Sequence, residues 1–188
     1  MDSEHWYALQ LVVGREKALR DRIMDTSLVK RILFPKRMLE IRREGKAHKV
    51  TKPLLPGYLL LAFDKPLTMA LVRKISDMTI PSDGLGRTLR FLGVPKEVGL
   101  NSDTTLTEIP PSEMTHLLFL TSNGENECVP FSDYEKVGSK VKVISGPLMG
   151  YESIIQRVNP RKKRITISLK LFGVEREVDI GGEMVERA

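Results

Sequence analysis

The chain has 188 residues, of which 41% are hydrophobic and 29% are charged, with a formal net charge of +6. This size fits one large domain or two small ones with real cores. The longest apolar run, Tyr58 to Phe63, is far short of the roughly 20 residues of a transmembrane helix, and the acidic start Met1 to Glu4 lacks a signal-peptide core. Because Cys128 is the one cysteine, an internal disulfide is excluded and we expect a cytoplasmic protein.

The excess positive charge lies in the first part of the chain. Residues 1–108 carry 19 Lys and Arg against 13 Asp and Glu, whereas residues 109–188 carry 11 of each. A basic region joined to a neutral one predicts that the first part contacts a polyanion and the second contacts protein. The alternative is a soluble domain that simply has a basic isoelectric point.

The first 120 residues mix strand and helix patterns. Trp6 to Val13 predicts a strand, and Arg15 to Asp25 predicts a helix whose Leu19 and Ile23, four residues apart, face a core. The continuous apolar run Tyr58–Phe63 predicts a central strand covered on both faces. The remaining predicted elements are a strand at Ile32–Pro35, a helix at Leu67–Ile75, a strand at Thr88–Val94 and a helix that begins at Pro110–Glu113. This order predicts an antiparallel sheet flanked by helices.

A strongly basic excursion interrupts this pattern. Between Lys36 and Lys52 there are seven basic and two acidic residues, and Gly45 is placed to turn a hairpin between Lys36–Glu44 and Lys46–Thr51. Such an arm can follow a phosphate backbone. The alternative is a mobile solvated loop.

After Leu120 the composition changes. Residues 121–127 are polar and lack periodicity, which predicts a linker. A strand at Ser139–Ile144, a tight loop at Gly146–Tyr151 and a second strand through Val158 follow, and apolar and polar residues alternate from Ile165 to Leu171. The short strands between residues 132 and 188 predict a small all-β barrel.

Several of these motifs, in this order, resemble the NusG family. They are Trp6-Tyr7, Pro56-Gly57-Tyr58-Leu59-Leu60, Leu71-Val72-Arg73, Phe91-Leu92-Gly93 and the strand–loop–strand Val137–Val158, which resembles a KOW motif. The resemblance implies an α+β architecture in two domains. The two domains are an NGN domain at 1–120 with a ferredoxin-like antiparallel sheet and an SH3-like KOW barrel at 132–188, and a linker at 121–131 joins them.

The resemblance also implies a bacterial transcription elongation regulator, and we expect it to be a monomer that does not bind membranes. In the family, the NGN domain docks on the clamp helices of RNA polymerase through an apolar depression. The matching positions here are Trp6, Tyr7, Leu55, Tyr58 and Thr68. Aromatic side chains beside polar neighbours suit a binding hot spot, although the alternative for the three aromatic residues is an ordinary core.

The charge of the excursion resembles that of specialised paralogs, the LoaP subgroup. These promote processive antitermination and bind an RNA hairpin of a leader transcript through the NGN domain. We therefore predict one RNA-binding face made by the first helix and the excursion, with the residues Arg15, Lys17, Arg20, Arg22, Lys36, Arg37, Arg42, Arg43, Lys46, Lys49 and Lys52. The alternatives are a general elongation or pausing factor without specific RNA binding, and a ribosome-associated KOW protein.

The KOW-like part is similar to an adaptor that binds a small-subunit ribosomal protein or the termination factor Rho. Tyr151 and Phe172 match the aromatic positions of that surface, and Leu148 stands where the family usually has another aromatic residue. Closure of the small barrel is the alternative role for Tyr151 and Phe172. The basic run Arg161–Arg164 is able to touch RNA but is more typical of a solvated turn.

The sequence does not favour an enzyme. His5, His48 and His116 are scattered, and with one cysteine no metal-ligand spacing exists. Gly84-Leu85-Gly86 lacks the third glycine of a nucleotide-binding loop. We therefore expect no catalytic residue, no metal and no cofactor.

Overall fold

The computed structural model describes residues 4–77, 89–92, 106–125, 127–138 and 140–185. The chain forms two compact units. Unit 1 comprises Met1–Phe34 with Leu55–Pro111, and unit 2 comprises Pro35–Leu54 with Ser112–Ala188. Each unit is therefore built from two separate segments of the chain. The NGN, linker and KOW boundaries stay a prediction.

The described residues contain three α-helices and twelve strands. In chain order these are β1 (His5–Gln10), α1 (Glu16–Met24), β2 (Arg31–Leu33), β3 (Lys36–Arg43), β4 (Lys46–Pro53), β5 (Tyr58–Phe63), α2 (Met69–Asp77), β6 (Arg90–Phe91), α3 (Pro111–Leu120), β7 (Cys128–Val129), β8 (Ser132–Val137), β9 (Lys140–Ser145), β10 (Ile155–Asn159), β11 (Arg164–Leu171) and β12 (Val174–Met184). None of the described helices is long and apolar enough to cross a membrane.

Unit 1 contains a four-stranded antiparallel sheet in the order β2-β5-β1-β6. The predicted central strand β5 is confirmed, since it lies between β2 and β1 and is almost entirely buried. The helices α1 and α2 contribute to the core on one face of this sheet, where Leu19 and Ile23 of α1 and Ile75 of α2 are fully buried. Of the strand predicted at Thr88–Val94, Arg90 and Phe91 form β6. Thr88, Gly93 and Val94 lie outside the described residues, as does Gly84-Leu85-Gly86.

A buried carboxylate joins two loops of unit 1. Glu16 opens α1, where a negative charge is favoured by the helix dipole, and its side chain is buried. One carboxylate oxygen accepts the backbone N–H of Gly14 at 2.7 Å, and the other accepts the N–H of Gly57 at 2.8 Å. The loop before α1 and the loop that opens β5 are thereby held together, which fixes the start of β5 at Tyr58.

Unit 2 contains a five-stranded sheet in the order β10-β11-β12-β8-β9, curled into half a barrel. The alternation predicted from Ile165 to Leu171 is confirmed, because all four apolar side chains of β11 are buried. The pairing of β12 with β8 is parallel, whereas the other pairs of this sheet are antiparallel. The mixed α+β fold expected from the sequence is confirmed.

The basic excursion is a regular β-hairpin. Strands β3 and β4 pair along their whole length, from Lys36 opposite Pro53 to Arg43 opposite Lys46. The predicted turn is confirmed: Glu44 and Gly45 both have positive φ, at 51° and 77°, as in the tight turns that match strand twist. Strand β7, within the segment predicted as a linker, pairs in parallel with the start of β3. The hairpin groups with the C-terminal strands in unit 2. Arg37 of β3 donates to the carbonyl oxygen of Asp179 in β12, and Arg164 of β11 donates to that of Glu40 in β3.

Candidate functional site

The face of the unit 1 sheet opposite the helices is apolar. Because side chains alternate along a strand, Trp6 and Ala8 of β1 share this face with Leu60 and Ala62 of β5, and all four are buried. Arg31 places its guanidinium 5.4 Å from the centre of the Trp6 ring. The hydrophobic cluster that includes α1 and α2 is built from the alternate residues of these strands.

The five residues that match the polymerase surface occupy different environments. Trp6, Tyr7 and Leu55 are 4%, 3% and 6% exposed, whereas Tyr58 is half-buried and Thr68 is exposed. Tyr7 lies on the helix side of the sheet, where its hydroxyl accepts the Leu67 N–H at 3.2 Å. Of this set, Tyr58 and Thr68 therefore present side-chain surface to a partner.

Two exposed apolar side chains that sequence reasoning did not select lie near these positions. Val13 is 66% exposed, and its side chain lies over Gly57, the residue before Tyr58. Met69 follows Thr68 at the start of α2 and is 42% exposed. The sequence feature that could have indicated an exposed Val13 is its position just before Gly14, where the apolar strand pattern ends.

The predicted RNA-binding residues fall into both units. Arg15, Lys17, Arg20 and Arg22 lie on or next to α1 in unit 1, where the first two are exposed and the others half-buried. The seven residues of the hairpin belong to unit 2. Counted by unit, the sequence gives unit 1 a net charge of +1 and unit 2 a net charge of +5. The positive charge that the sequence placed in its first part thus belongs mainly to the unit that contains the C-terminal strands.

Three basic residues of the hairpin have partners within unit 2. Lys36 forms an ion pair with Glu127 at 3.3 Å, and the ammonium of Lys49 lies 5.0 Å from the centre of the Phe131 ring. Arg37 donates to the backbone carbonyl oxygen of Asp179. Burial lowers the pKa of Arg37 below its usual value, against the opposing effect of the Asp179 charge. The other members of the set, Arg42, Arg43, Lys46 and Lys52, are exposed.

The turn between β10 and β11 is tied to the hairpin by its own basic residues. Lys163 forms ion pairs with Glu40 at 3.3 Å and Glu183 at 2.8 Å. The hydrogen bond from Lys163 to Glu183, and after it the one to Glu40, raise the pKa of Lys163. The hydrogen bond between Lys163 and Glu183 also lowers the pKa of Glu183. Arg164 donates to the backbone carbonyl oxygen of Glu40. The turn and β3 therefore form one surface.

The residues that match the KOW partner surface are mostly engaged within unit 2. Leu148 is fully buried. Tyr151 is half-buried, and its ring stacks on that of Phe119 with 3.9 Å between centroids and meets His116 edge-on at 5.8 Å. Phe172 is half-buried with a φ of 58°, and the Arg176 guanidinium lies 5.9 Å from its ring centre. Tyr151 thus already has an aromatic partner on α3.

The described residues offer no site for a metal ion. Within the ranges that the structure describes, no group of three or more His, Cys, Asp or Glu side chains is placed to hold one. The chemistry of these surfaces is therefore that of apolar contacts, hydrogen bonds and positive charge.

Comparisons with known proteins identify the relatives. A family model described as "Transcription termination factor nusG" matches residues 4–118. The transcription termination/antitermination protein NusG of Thermus thermophilus is 26% identical over 195 residues, covering 99% of this chain and 100% of that protein. Its namesake in Deinococcus radiodurans is 25% identical over 202 residues, covering 98% and 100%.

A solved structure described as "Domain interaction in Thermotoga maritima NusG" has a TM-score of 0.51 at 20% identity and covers 95% of this chain and 94% of that chain. At that identity the likeness concerns the fold alone. The family model, by contrast, spans more than half of the sequence. The chain belongs to the NusG family.

Proposed function

We propose that this chain is a bacterial, cytoplasmic transcription elongation factor that binds RNA polymerase through unit 1 and promotes antitermination. The observation that carries the proposal is the exposed surface of Tyr58 and Thr68, at two positions that match the family's polymerase surface, in a chain that belongs to the NusG family. The clamp helices of the polymerase are the proposed partner. Tyr58 and Thr68 are the proposed direct contacts, and Trp6, Tyr7 and Leu55, which are buried, belong to the fold that positions them.

Binding of purified RNA polymerase to the immobilised full chain tests the proposal. The substitution Tyr58→Ala should weaken binding at least about tenfold, or about 1.4 kcal/mol, because an aromatic anchor is lost. Met24→Ala is the matched control, since Met24 is 55% exposed at the end of α1 and is not part of the proposed surface. Equal binding by the two variants, or no binding by the unaltered chain, would contradict the proposal.

Recruitment by a leader RNA hairpin, as in the LoaP subgroup, is the finer part of the proposal. Its support is the charge of the exposed hairpin residues Arg42, Arg43, Lys46 and Lys52, together with Arg15 and Lys17 of unit 1. Transcription through a terminator, measured with and without a candidate leader hairpin, tests this part. Equal read-through on both templates would favour a general elongation or pausing factor.

Unit 2 is the proposed adaptor for a small-subunit ribosomal protein or Rho. Its support is the half-exposed surface of Tyr151 and Phe172. Because Tyr151 stacks on Phe119, a partner that takes this ring must displace or share that contact. Phe119→Ala should therefore strengthen binding of such a partner, measured by titration of the purified ribosomal protein or Rho, and unchanged binding would argue against Tyr151 as the contact.

Co-purification with ribosomes but not polymerase would favour the ribosome-associated alternative.

A further inference from the structure

A groove in unit 2 separates the hairpin strand β3 from the turn between β10 and β11. Its volume is about 480 Å³. The lining residues are Glu40, Ile41 and Arg42 on one side and Arg161, Lys162 and Arg164 on the other. The sequence placed Arg42 in the predicted RNA-binding face and left Arg161–Arg164 open between an RNA contact and a solvated turn, but it did not bring these two walls together.

The groove is strongly positive because its one carboxylate is already neutralised. Glu40 is paired with Lys163, which stands next to the lining residues. Within the parts of the chain that the structure describes, no carboxylate forms an ion pair with Arg42, Arg161 or Lys162, and all three are exposed. Their charges are therefore available to a ligand.

The walls of the groove are held in place by bonds that leave these three side chains unused. Arg164 donates to the carbonyl oxygens of Glu40, Lys162 and Lys163. The side chain of Asn159 accepts the backbone N–H of Lys162 at 3.0 Å, which fixes the turn. A site that is shaped before its ligand arrives loses less conformational entropy on binding.

We propose that this groove binds the phosphate backbone of a single-stranded nucleic acid, with Arg42, Arg161 and Lys162 as the phosphate contacts and Arg164 as a positioning residue. The lining contains no aromatic side chain on which a base would stack, so the groove contacts the phosphates of the nucleic acid and does not recognise its bases. Nascent RNA is the favoured source of that strand, and this choice alone rests on the proposed function.

The salt dependence of binding is the signature of such a site. Each phosphate neutralised on a single strand contributes about −0.7 to the slope of log K against log salt concentration. Three contacts therefore predict a slope of about −2 from the groove alone. Removing two of them should make the measured slope shallower by about 1.4.

The test compares R161Q/K162Q with K140Q/K142Q in the full chain. Both variants remove two positive charges from exposed residues of unit 2, but Lys140 and Lys142 lie on β9, at the opposite edge of the sheet from β10. Oligo-uridine and oligo-deoxythymidine of about 12 nucleotides, within the usual ~4–16-nucleotide site size, are titrated at several salt concentrations. Binding of each variant to purified RNA polymerase is measured in parallel.

R161Q/K162Q should lose about 1.4 from the slope with oligo-uridine and keep its polymerase binding, whereas K140Q/K142Q should match the unaltered chain. The same loss with oligo-deoxythymidine would also support the groove and would make DNA an equal source. An unchanged slope in R161Q/K162Q, or an equal loss in K140Q/K142Q, overturns the groove. Failure of the unaltered chain to bind polymerase, with the groove's salt signature intact, overturns the proposed function but not the groove.

Discussion

The two compact units obtain their cores and their charge in different ways. In unit 1, the helices α1 and α2 contribute to the core on one face of a four-stranded antiparallel sheet, and the net charge is nearly balanced. In unit 2, a curled sheet is joined by a hairpin from a distant part of the chain, which brings most of the excess positive charge. The net charge of a segment therefore does not predict which of the two cores the segment packs against.

The largest effect is expected from a cavity in the core of unit 1. Leu61→Ala on the central strand removes a fully buried side chain and should cost about 2–5 kcal/mol of unfolding free energy. Urea unfolding followed by the fluorescence of Trp6, the one tryptophan of the chain, reports on this unit. Met24→Ala, at an exposed position, should stay within about 0.5 kcal/mol. A small loss for Leu61→Ala would mean that unit 1 is not held by this core.

In unit 2 the corresponding weak point is backbone rather than a side chain. Gly146 has a φ of 91°, and a Cβ there would lie 2.5 Å from the carbonyl oxygen of Phe131. Gly146→Ala combines strain with overpacking and should cost about 2–4 kcal/mol.

Gly150→Ala is the matched control in the same loop. Gly150 has a φ of 83° but open space around it, so strain alone should cost about 1–2 kcal/mol. Hydrogen exchange of the β8 and β9 amides measures both variants. Equal losses would show that the approach of Phe131 to Gly146 does not matter for stability.

The buried carboxylate of Glu16 joins two loops of unit 1. Glu16→Ala leaves the N–H groups of Gly14 and Gly57 without their acceptor and should cost about 1–3 kcal/mol in the Trp6-monitored transition. Asp21→Ala, at an exposed position on the same helix, is the control and should stay within about 0.5 kcal/mol. Similar values for the two would show that Glu16 does not hold the loops together.

Arg37 tests whether the hairpin is part of unit 2. Arg37→Ala removes the hydrogen bond to the Asp179 carbonyl and should reduce protection of the β3 and β4 amides by about 1–2 kcal/mol in hydrogen exchange. Arg43→Ala, exposed near the hairpin turn, should leave that protection unchanged. If both variants keep full protection, the hairpin is held by other contacts.

The smallest effect is expected at Tyr134 of β8. Its hydroxyl is buried and has no hydrogen-bond partner among the described residues, so Tyr134→Phe should be neutral or stabilising by up to about 1 kcal/mol. A loss greater than about 1 kcal/mol in hydrogen exchange of unit 2 would reveal a bonded hydroxyl.

The ionisation of Tyr134 should also make the free energy of unfolding depend on pH in the alkaline range. Burial raises the pKa of Tyr134 above its usual value of 10.0, because the charged phenolate is disfavoured inside the fold. Its contribution to stability is therefore complete below about pH 10 and is lost as the pH rises toward the folded-state pKa. Unfolding of Tyr134→Phe should show a smaller loss between these values than the unaltered chain. An identical decline would assign the alkaline sensitivity to other groups.

Local patterns in the sequence predicted most elements and several buried faces. The run Tyr58–Phe63 predicted a central strand, the alternation of Ile165 to Leu171 predicted a buried face, and Gly45 predicted the hairpin turn. These features depend on neighbours within a few residues. Val13 was not selected because its exposure depends on the loop at Gly57, more than 40 residues away.

The order of most strands and helices, the periodicity of their apolar faces and the motifs that resemble the family were all readable from the amino-acid sequence. Three features emerge only in the folded chain: the hairpin packs with the C-terminal strands, Lys163 neutralises Glu40, and Arg42 faces the turn at Arg161 across a groove. The physical reason is that hydrophobic periodicity acts over one element, whereas ion pairs and docked strands join residues that are more than 100 positions apart.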